Sequence, residues 1–392
     1  MFGAAGGMLG IAIGFNAITT HGACTAIFVA IAAGLGFGFA SIRTLGRLTW
    51  IAWVGLIFLI AASMSSTIFQ PPPLSLSLLF YLFMCRKVSN KWFLVFTLTI
   101  SVAVQDRPDA APQEGDWSSD YVLFNQPSFT QAMNAISIFL NAFGAVPAFF
   151  PIVSEMRDPK RYTRSLLFSH GVVAALYILV GCVVYYYCGS FVSSPALGSA
   201  GKLMKKVCYG LSLPGLTVTT VLTIHVSSQP RPRHPQVLSN TVRTNKKTDP
   251  KQFAAKYIFL RILGGSDHVN KNTVKHWVTW LGCTFGCSCI AYIIASTIPS
   301  FGTLSSLIGA AFSTILCVIP YGVMWLFDNW PQRKSATWIS GWTWHAVWSV
   351  FVSLAGVVVM IGGIWGSALD IHAAYSQPGA NGPFTCADNS NS

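Results

Sequence analysis

The chain has 392 residues, of which 53% are hydrophobic and 9% charged, against about 25% charged in an ordinary soluble domain. That balance excludes a water-facing surface over most of the molecule. A net charge of +13 would suggest nucleic acid in a soluble protein, but the Lys and Arg residues lie between apolar runs, so no nucleic acid partner is expected.

Apolar stretches of roughly 20 residues, the length that crosses a bilayer's hydrocarbon core, recur along the chain. They predict helices at about 1–19, 24–41, 48–67, 131–154, 165–187, 207–226, 277–298, 302–327 and 343–366. The expected fold is an all-α polytopic membrane protein of about nine transmembrane helices, with a transmembrane domain over 1–375 and a short tail at 376–392. In the first segment Gly6, Gly10 and Gly14 recur every four residues, and Gly34, Gly36 and Gly38 cluster in the second. Small residues at such spacings let helix backbones touch in lipid.

Residues 69–101 hold Pro71, Pro72 and Pro73, the basic link Arg86, Lys87 and Lys91, and two apolar pieces too short to span. This segment and the polar run 227–252 read as insertions, either variations within a family or translated introns. Between them the chain collects Asp106, Asp109, Glu114, Asp116 and Asp120 in one acidic loop.

The most informative helix runs from Thr130 to Met156, with Asn141, Gly144 and Pro147 at its centre. A proline removes a helix hydrogen bond and strikes the preceding turn. In lipid, unwound backbone is tolerated only where it is buried in protein or lines a cavity. Freed amides can hold a carboxylate there, and freed carbonyls a cation or an ammonium. An ordinary proline kink is the alternative reading.

Cys24, Cys182, Cys283, Cys287, Cys289 and Cys317 fall inside apolar runs as small packing residues. Cys188, Cys208 and Cys386 fall in loops or at helix ends, where a disulfide is open. No His or acid faces the Cys283, Cys287 and Cys289 group, so neither a metal nor a cofactor is expected. His170 and His225 lie near helix ends, where they could titrate near neutrality. Trp338, Trp342, Trp344 and Trp348 gather near one end of the last helix, as an interfacial belt does.

Alternate loops differ in basic charge. One side receives Arg43 and Arg47, then Arg157, Lys160, Arg161 and Arg164, the ten Lys and Arg residues from Arg231 to Lys275, and Arg333 with Lys334. The other receives Arg107, Lys202, Lys205 and Lys206 together with the acidic loop. Positive charge marks the cytoplasmic side, which places the C-terminus outside.

The run SEMRDPKRY from Ser154 to Tyr162, with VVYYYCGS, SPALGSAG, HWVTWLGCTFGC and AYIIASTIP, resembles the fungal branch of the amino acid/auxin permease family, from about Asn16 to the final TCADNS. The resemblance implies an eleven-helix protein with a LeuT-like inverted repeat, whose first and sixth helices are broken around the substrate. Under that mapping the chain starts within the third helix, lacks the first two, and carries the sixth at 131–154. It implies the second half of a substrate pocket at Asn141, Phe143, Gly144, Ala145 and Pro147. Gly144 and Pro147 would keep the backbone open, Asn141 could donate to substrate and Phe143 contact its side chain; helix packing is the alternative for each.

The resemblance also implies a coupling-cation role for Thr217, Thr219 and Thr220, after Pro214 on the eighth family helix. Threonines in membrane helices otherwise bond their own backbone. Glu155 could relay a proton, or pair with Arg157, Arg161 or Arg164 and set a gate. The function implied is secondary transport of an amino acid, neutral by the aromatic residues near the break, coupled to a proton or sodium ion across a plasma or vacuolar membrane. A truncated non-transporting protein, or a partner of a full-length permease, is the other class. Against an enzyme, the chain shows no nucleophile elbow, HExxH motif or phosphate-binding glycine loop.

Overall fold

The computed structural model describes residues 1–41, 111–112, 114, 118–144, 161–199, 202–225, 273–298, 300–330, 341–376, 383–384 and 386–389. In chain order the helices are α1 (Phe2–Thr19), α2 (Thr25–Ala40), α3 (Phe129–Ala142), α4 (Tyr162–Cys188), α5 (Lys202–His225), α6 (Val274–Thr297), α7 (Phe301–Ile308), a π-helix (Gly309–Val318), α8 (Ile319–Asn329) and α9 (Gly341–Ser376). No strand occurs among the described residues. Eight of the nine expected segments coincide wholly or in part with these helices; 48–67 and the 145–154 part of the fourth lie outside the described residues, as do 69–101 and 227–252. Among the described residues five helical runs are long and apolar enough to cross a membrane: α1, α4 with the turn that extends it to Phe191, α6, the continuous run α7 to α8, and α9.

The chain divides into two units, Met1–Ala62 with Lys206–Thr297 and Phe384–Asp388, and Ser63–Lys205 with Ile298–Pro383 and Asn389–Ser392. In the first, α1 is apolar on every side, and Met8, Leu9, Ile11 and Ile13 are wholly buried. It packs on α5 through glycines. A methyl group at Gly14 would stand 3.0 Å from Leu213, one at Gly10 3.8 Å from Leu216, and one at Gly7 would overlap the Thr220 hydroxyl. Gly6, expected in this stripe, has no described atom within 4 Å of such a methyl, so the contact face is 7, 10 and 14 and not 6, 10 and 14. Of the second cluster Gly36 alone closely approaches a described neighbour, 3.0 Å from Ile224. Between α2 and α6, Ser288 Oγ donates to the Ala33 carbonyl at 3.0 Å and Trp280 Nε1 to that of Ser41 at 3.2 Å.

At one end of this unit the turn Thr20–His21 adopts positive φ of 55° and 59°. Asn16 Nδ2 donates to Thr25 Oγ1 at 2.7 Å, and Thr25 Oγ1 donates onward to the Ala387 carbonyl at 2.6 Å. The Phe384 amide donates to the Ser296 carbonyl at 3.0 Å, and Cys24 forms a disulfide with Cys386. Cys24, read from sequence as a packing residue inside a helix, is instead the N-cap of α2, where its side chain is free to leave the helix. Cys188 and Cys208 are not disulfide-bonded.

In the second unit α4 buries little of itself; Leu167, Phe168 and Ile178 are 69%, 76% and 66% exposed, a surface suited to lipid. His170 stands more than two turns inside α4, not near its end. α9 has 36 residues and extends well beyond the expected 343–366; at 1.5 Å per residue it is about 54 Å long, more than a hydrocarbon core of about 30 Å, so its ends project. Near the opposite end of α4, Asp120 accepts from the Ser190 amide at 2.8 Å and from the Ser190 hydroxyl. A side chain on Gly189, at φ +59°, would collide with that carboxylate. The two bonds from Ser190, the hydroxyl's first, hold the Asp120 carboxyl below its ordinary range.

Because the folded carboxyl is the stronger acid, this anchor is complete above the ordinary aspartate range of about 4 and is lost as pH falls through the lowered value. Hydrogen-exchange protection factors of residues 118–124, each taken against the intrinsic exchange rate at the same pH, are expected to fall on acidification below that range, and Asp120→Asn is expected to lower them above that range and change little below it. Thiol counting is expected to find two more reactive cysteines per chain after reduction than before. Cys24→Ser should abolish that difference and lower stability by about 2–4 kcal/mol in a detergent melt.

Candidate functional site

α3 starts where the chain spells a capping box: Ser128 Oγ accepts from the Gln131 amide at 3.4 Å, and Gln131 Oε1 accepts from the Ser128 amide at 3.0 Å. It stops at Ala142, where the Phe143 amide still reaches the Phe139 carbonyl at 3.3 Å but the Gly144 amide turns to that of Asn141, three residues back, at 3.1 Å. Among the described residues the helix therefore ends at Ala142, inside the span expected to be broken at its centre. Ala145, Pro147, Glu155 and Arg157 lie outside the described residues.

The break faces a second irregularity. The π-helix Gly309–Val318 lies in the segment expected to be one plain helix, and the Ile319 amide donates to the Thr314 carbonyl, five residues back. Pro320 supplies a cause: it has no amide to give, and its ring would strike the carbonyl four residues earlier in an α-helix, a clash that a wider turn relieves. Such turns occur often at functional sites. Ser313 and Cys317 from this segment meet Gly144. The Cys317 thiol donates to the Gly144 carbonyl at 3.7 Å, and a methyl on Gly144 would stand 2.8 Å from Ser313 Oγ and 3.1 Å from the Asn141 carbonyl. A side chain at this position must displace the Ser313 hydroxyl and crowd the Asn141 carbonyl.

The expected site residues differ in what they meet. Asn141 and Phe143 are half-buried beside the break. The Phe143 ring packs on α4, edge-on to Tyr177 at 5.4 Å and 6.5 Å from His170, with Phe139 4.9 Å away. On α5, Thr217, Thr219 and Thr220 each donate to the carbonyl four residues back, at 2.8, 3.0 and 2.9 Å. Their hydroxyl protons are used by their own helix, leaving lone pairs. Ser313 and Cys317 escaped the sequence reading; the signal that could have found them is Pro320 itself, which marks the turn before it as irregular.

The profile of the family described as "Transmembrane amino acid transporter protein" matches residues 2–369. The chain belongs to this transporter family. Among its relatives, a "Transmembrane transporter" of Gibberella moniliformis is 32% identical over 388 residues, 98% of this chain and 68% of the relative. Another of that description from Fusarium pseudograminearum is 31% identical over 390 residues, again 98% of this chain and 68% of the relative. The "N amino acid transport system protein" of Neurospora crassa is 29% identical over 185 residues, 47% of this chain and 34% of that protein. No solved structure matches the chain.

The close fit of α3 to the transporter's π-helix also rests on Gly309, where a methyl would overlap the Ser137 carbonyl. Gly309→Ala is expected to cost about 1–3 kcal/mol by overpacking, read as a lower melting temperature in detergent. Gly282→Ala, where a methyl has no described atom within 4 Å, is the control expected to change little.

Proposed function

We propose that this chain carries a neutral amino acid across a plasma or vacuolar membrane, driven by a proton or sodium ion moving down its gradient. The single observation that carries the reading is the meeting of two helical irregularities, the break at Gly144 and the π-helix that offers it Ser313 and Cys317. Asn141, Phe143, Gly144, Ala145 and Pro147 form the substrate half-site. The C-terminal end of α3 directs carbonyls and the negative pole of its dipole toward the break, an environment suited to the ammonium of an amino acid or to a coupling cation. Phe139, Phe143 and Tyr177 nearby favour an apolar side chain.

A LeuT-like arrangement of about nine helices is the fold we assign to this activity, with one helical group rocking against the other. The division of the chain supports it, because each unit is assembled from segments far apart in sequence. Thr217, Thr219 and Thr220 retain lone pairs for a coupling ion, and Glu155 with Arg157 supplies a gate. The Cys24–Cys386 bond calls for an oxidising compartment on its side, which suits membranes reached through the secretory route.

Uptake of labelled neutral amino acids by permease-deficient cells tests the reading. Expression of this chain should confer uptake, and Gly144→Leu should abolish it with the protein still inserted in the membrane. Unchanged uptake in that variant would refute the site. Vesicles given a proton gradient, a sodium gradient or neither identify the coupling ion.

A further inference from the structure

The half-helix that ends at the break is held by more than glycine contacts. Asn134 is 7% exposed, and Ser306 of α7 and Ser367 of α9 are 1% and 0% exposed. Asn134 Oδ1 accepts from Ser306 Oγ at 3.0 Å and from Ser367 Oγ at 3.4 Å, the two serine hydroxyls lie 2.9 Å apart, and Asn134 Nδ2 donates to the Asp370 carboxylate at 2.6 Å. Every atom of the Asn134 amide that can bond to a neighbour is thus used, across three helices.

The surfaces around this knot are smooth. Methyl groups on Gly363 and Gly366 of α9 would meet Ser137 and Asn134, and one on Gly309 would meet Ser137. Small residues bring helices close, but in lipid no hydrophobic drive sets their register. A flat glycine face resists sliding little. Directional hydrogen bonds resist it, because a shift of one residue moves the amide about 1.5 Å along the axis and breaks all of them together.

We propose that Asn134 is a positioning residue that fixes the axial register of α3, and through it the place of Gly144 against Ser313 and Cys317, ten residues or about 15 Å along the chain. This rests on the reading of the break as the substrate site. Ser306, Ser367 and Asp370 are its partners, and Asp370 makes the knot reversible in chemistry: exchanging amide and carboxylate leaves every donor facing an acceptor. Asn134→Asp alone sets two carboxylates against each other, whereas Asn134→Asp with Asp370→Asn restores one amide donating to one carboxylate, with both serines still donating to the buried partner.

The test uses the full chain with Cys317 and the Cys24–Cys386 pair retained and the remaining cysteines replaced. Two readouts are taken at pH 8: the rate at which a small maleimide labels Cys317, which reports the contact with Gly144 without requiring transport, and uptake of labelled neutral amino acids. Asn134→Asp is expected to raise the labelling rate about tenfold, the scale of one buried bond left unmade, and to reduce uptake. The exchanged pair is expected to return labelling to within about twofold of the parent, well inside that tenfold change. Ser306→Ala with Ser367→Ala, a milder disruption, covers the case in which Asn134→Asp does not fold, and should raise labelling in the same direction. Labelling unmoved by either disruption, or an exchanged pair as reactive as the Asn134→Asp variant, overturns the proposal. Labelling that follows the expected pattern in a parent that takes up no amino acid upholds the positioning role and refutes the transport reading instead.

Discussion

A backbone amide or carbonyl that leaves its helix partner inside a bilayer has no water to replace it, and the second unit is arranged around that constraint. Interrupting α3 at Gly144 frees polar groups where they are costly. The Gly144 amide takes a tighter bond to Asn141, and the Gly144 carbonyl takes the Cys317 thiol. That thiol is available because the π-helix carries it to the break, and Pro320 accounts for the widened turn just ahead of it. The end of one helix is thus matched by a distortion in its neighbour.

The two units solve helix packing in lipid differently. In the first, α1 meets α5 through Gly7, Gly10 and Gly14 with leucine side chains and one threonine opposite, and the polar links lie mainly toward the helix ends. In the second, glycine faces are joined to a buried hydrogen-bonded knot within the helix contacts. Close approach without direction suits a surface whose exact phase matters little. Directional bonds suit one whose register must be fixed.

Most helix positions were legible in the sequence because a lipid-spanning segment is long and unbroken, so its apolar length identifies it without any periodicity. That same uniformity hid the rotational phase. A helix apolar on every side gives no sign of which face meets protein, which is why Gly6 was chosen where Gly7 makes the contact. Pro147 lies outside the described residues, but the end of α3 beside Gly144 was legible because glycine acts on the backbone locally. Its partners were not, because Ser313 and Cys317 are brought there by tertiary packing, and small polar residues are common in membrane helices. Cys24 was misread by a single position: placed inside a helix it is packing, and placed at the N-cap it can reach Cys386, 362 residues away.

That disulfide also constrains how the chain threads the bilayer. A covalent link between two side chains cannot join thiols held on opposite sides of a hydrocarbon core about 30 Å thick. The number of crossings between residues 24 and 386 must therefore be even. The segments expected from sequence after Cys24 number eight, an even number, and the expected topology would put both cysteines on the side away from the basic loops. A chain that missed one crossing would strand its two thiols on opposite faces, and the bond could not close. The bond can therefore close only when the residues around Cys386 and the turn before α2 lie on the same side.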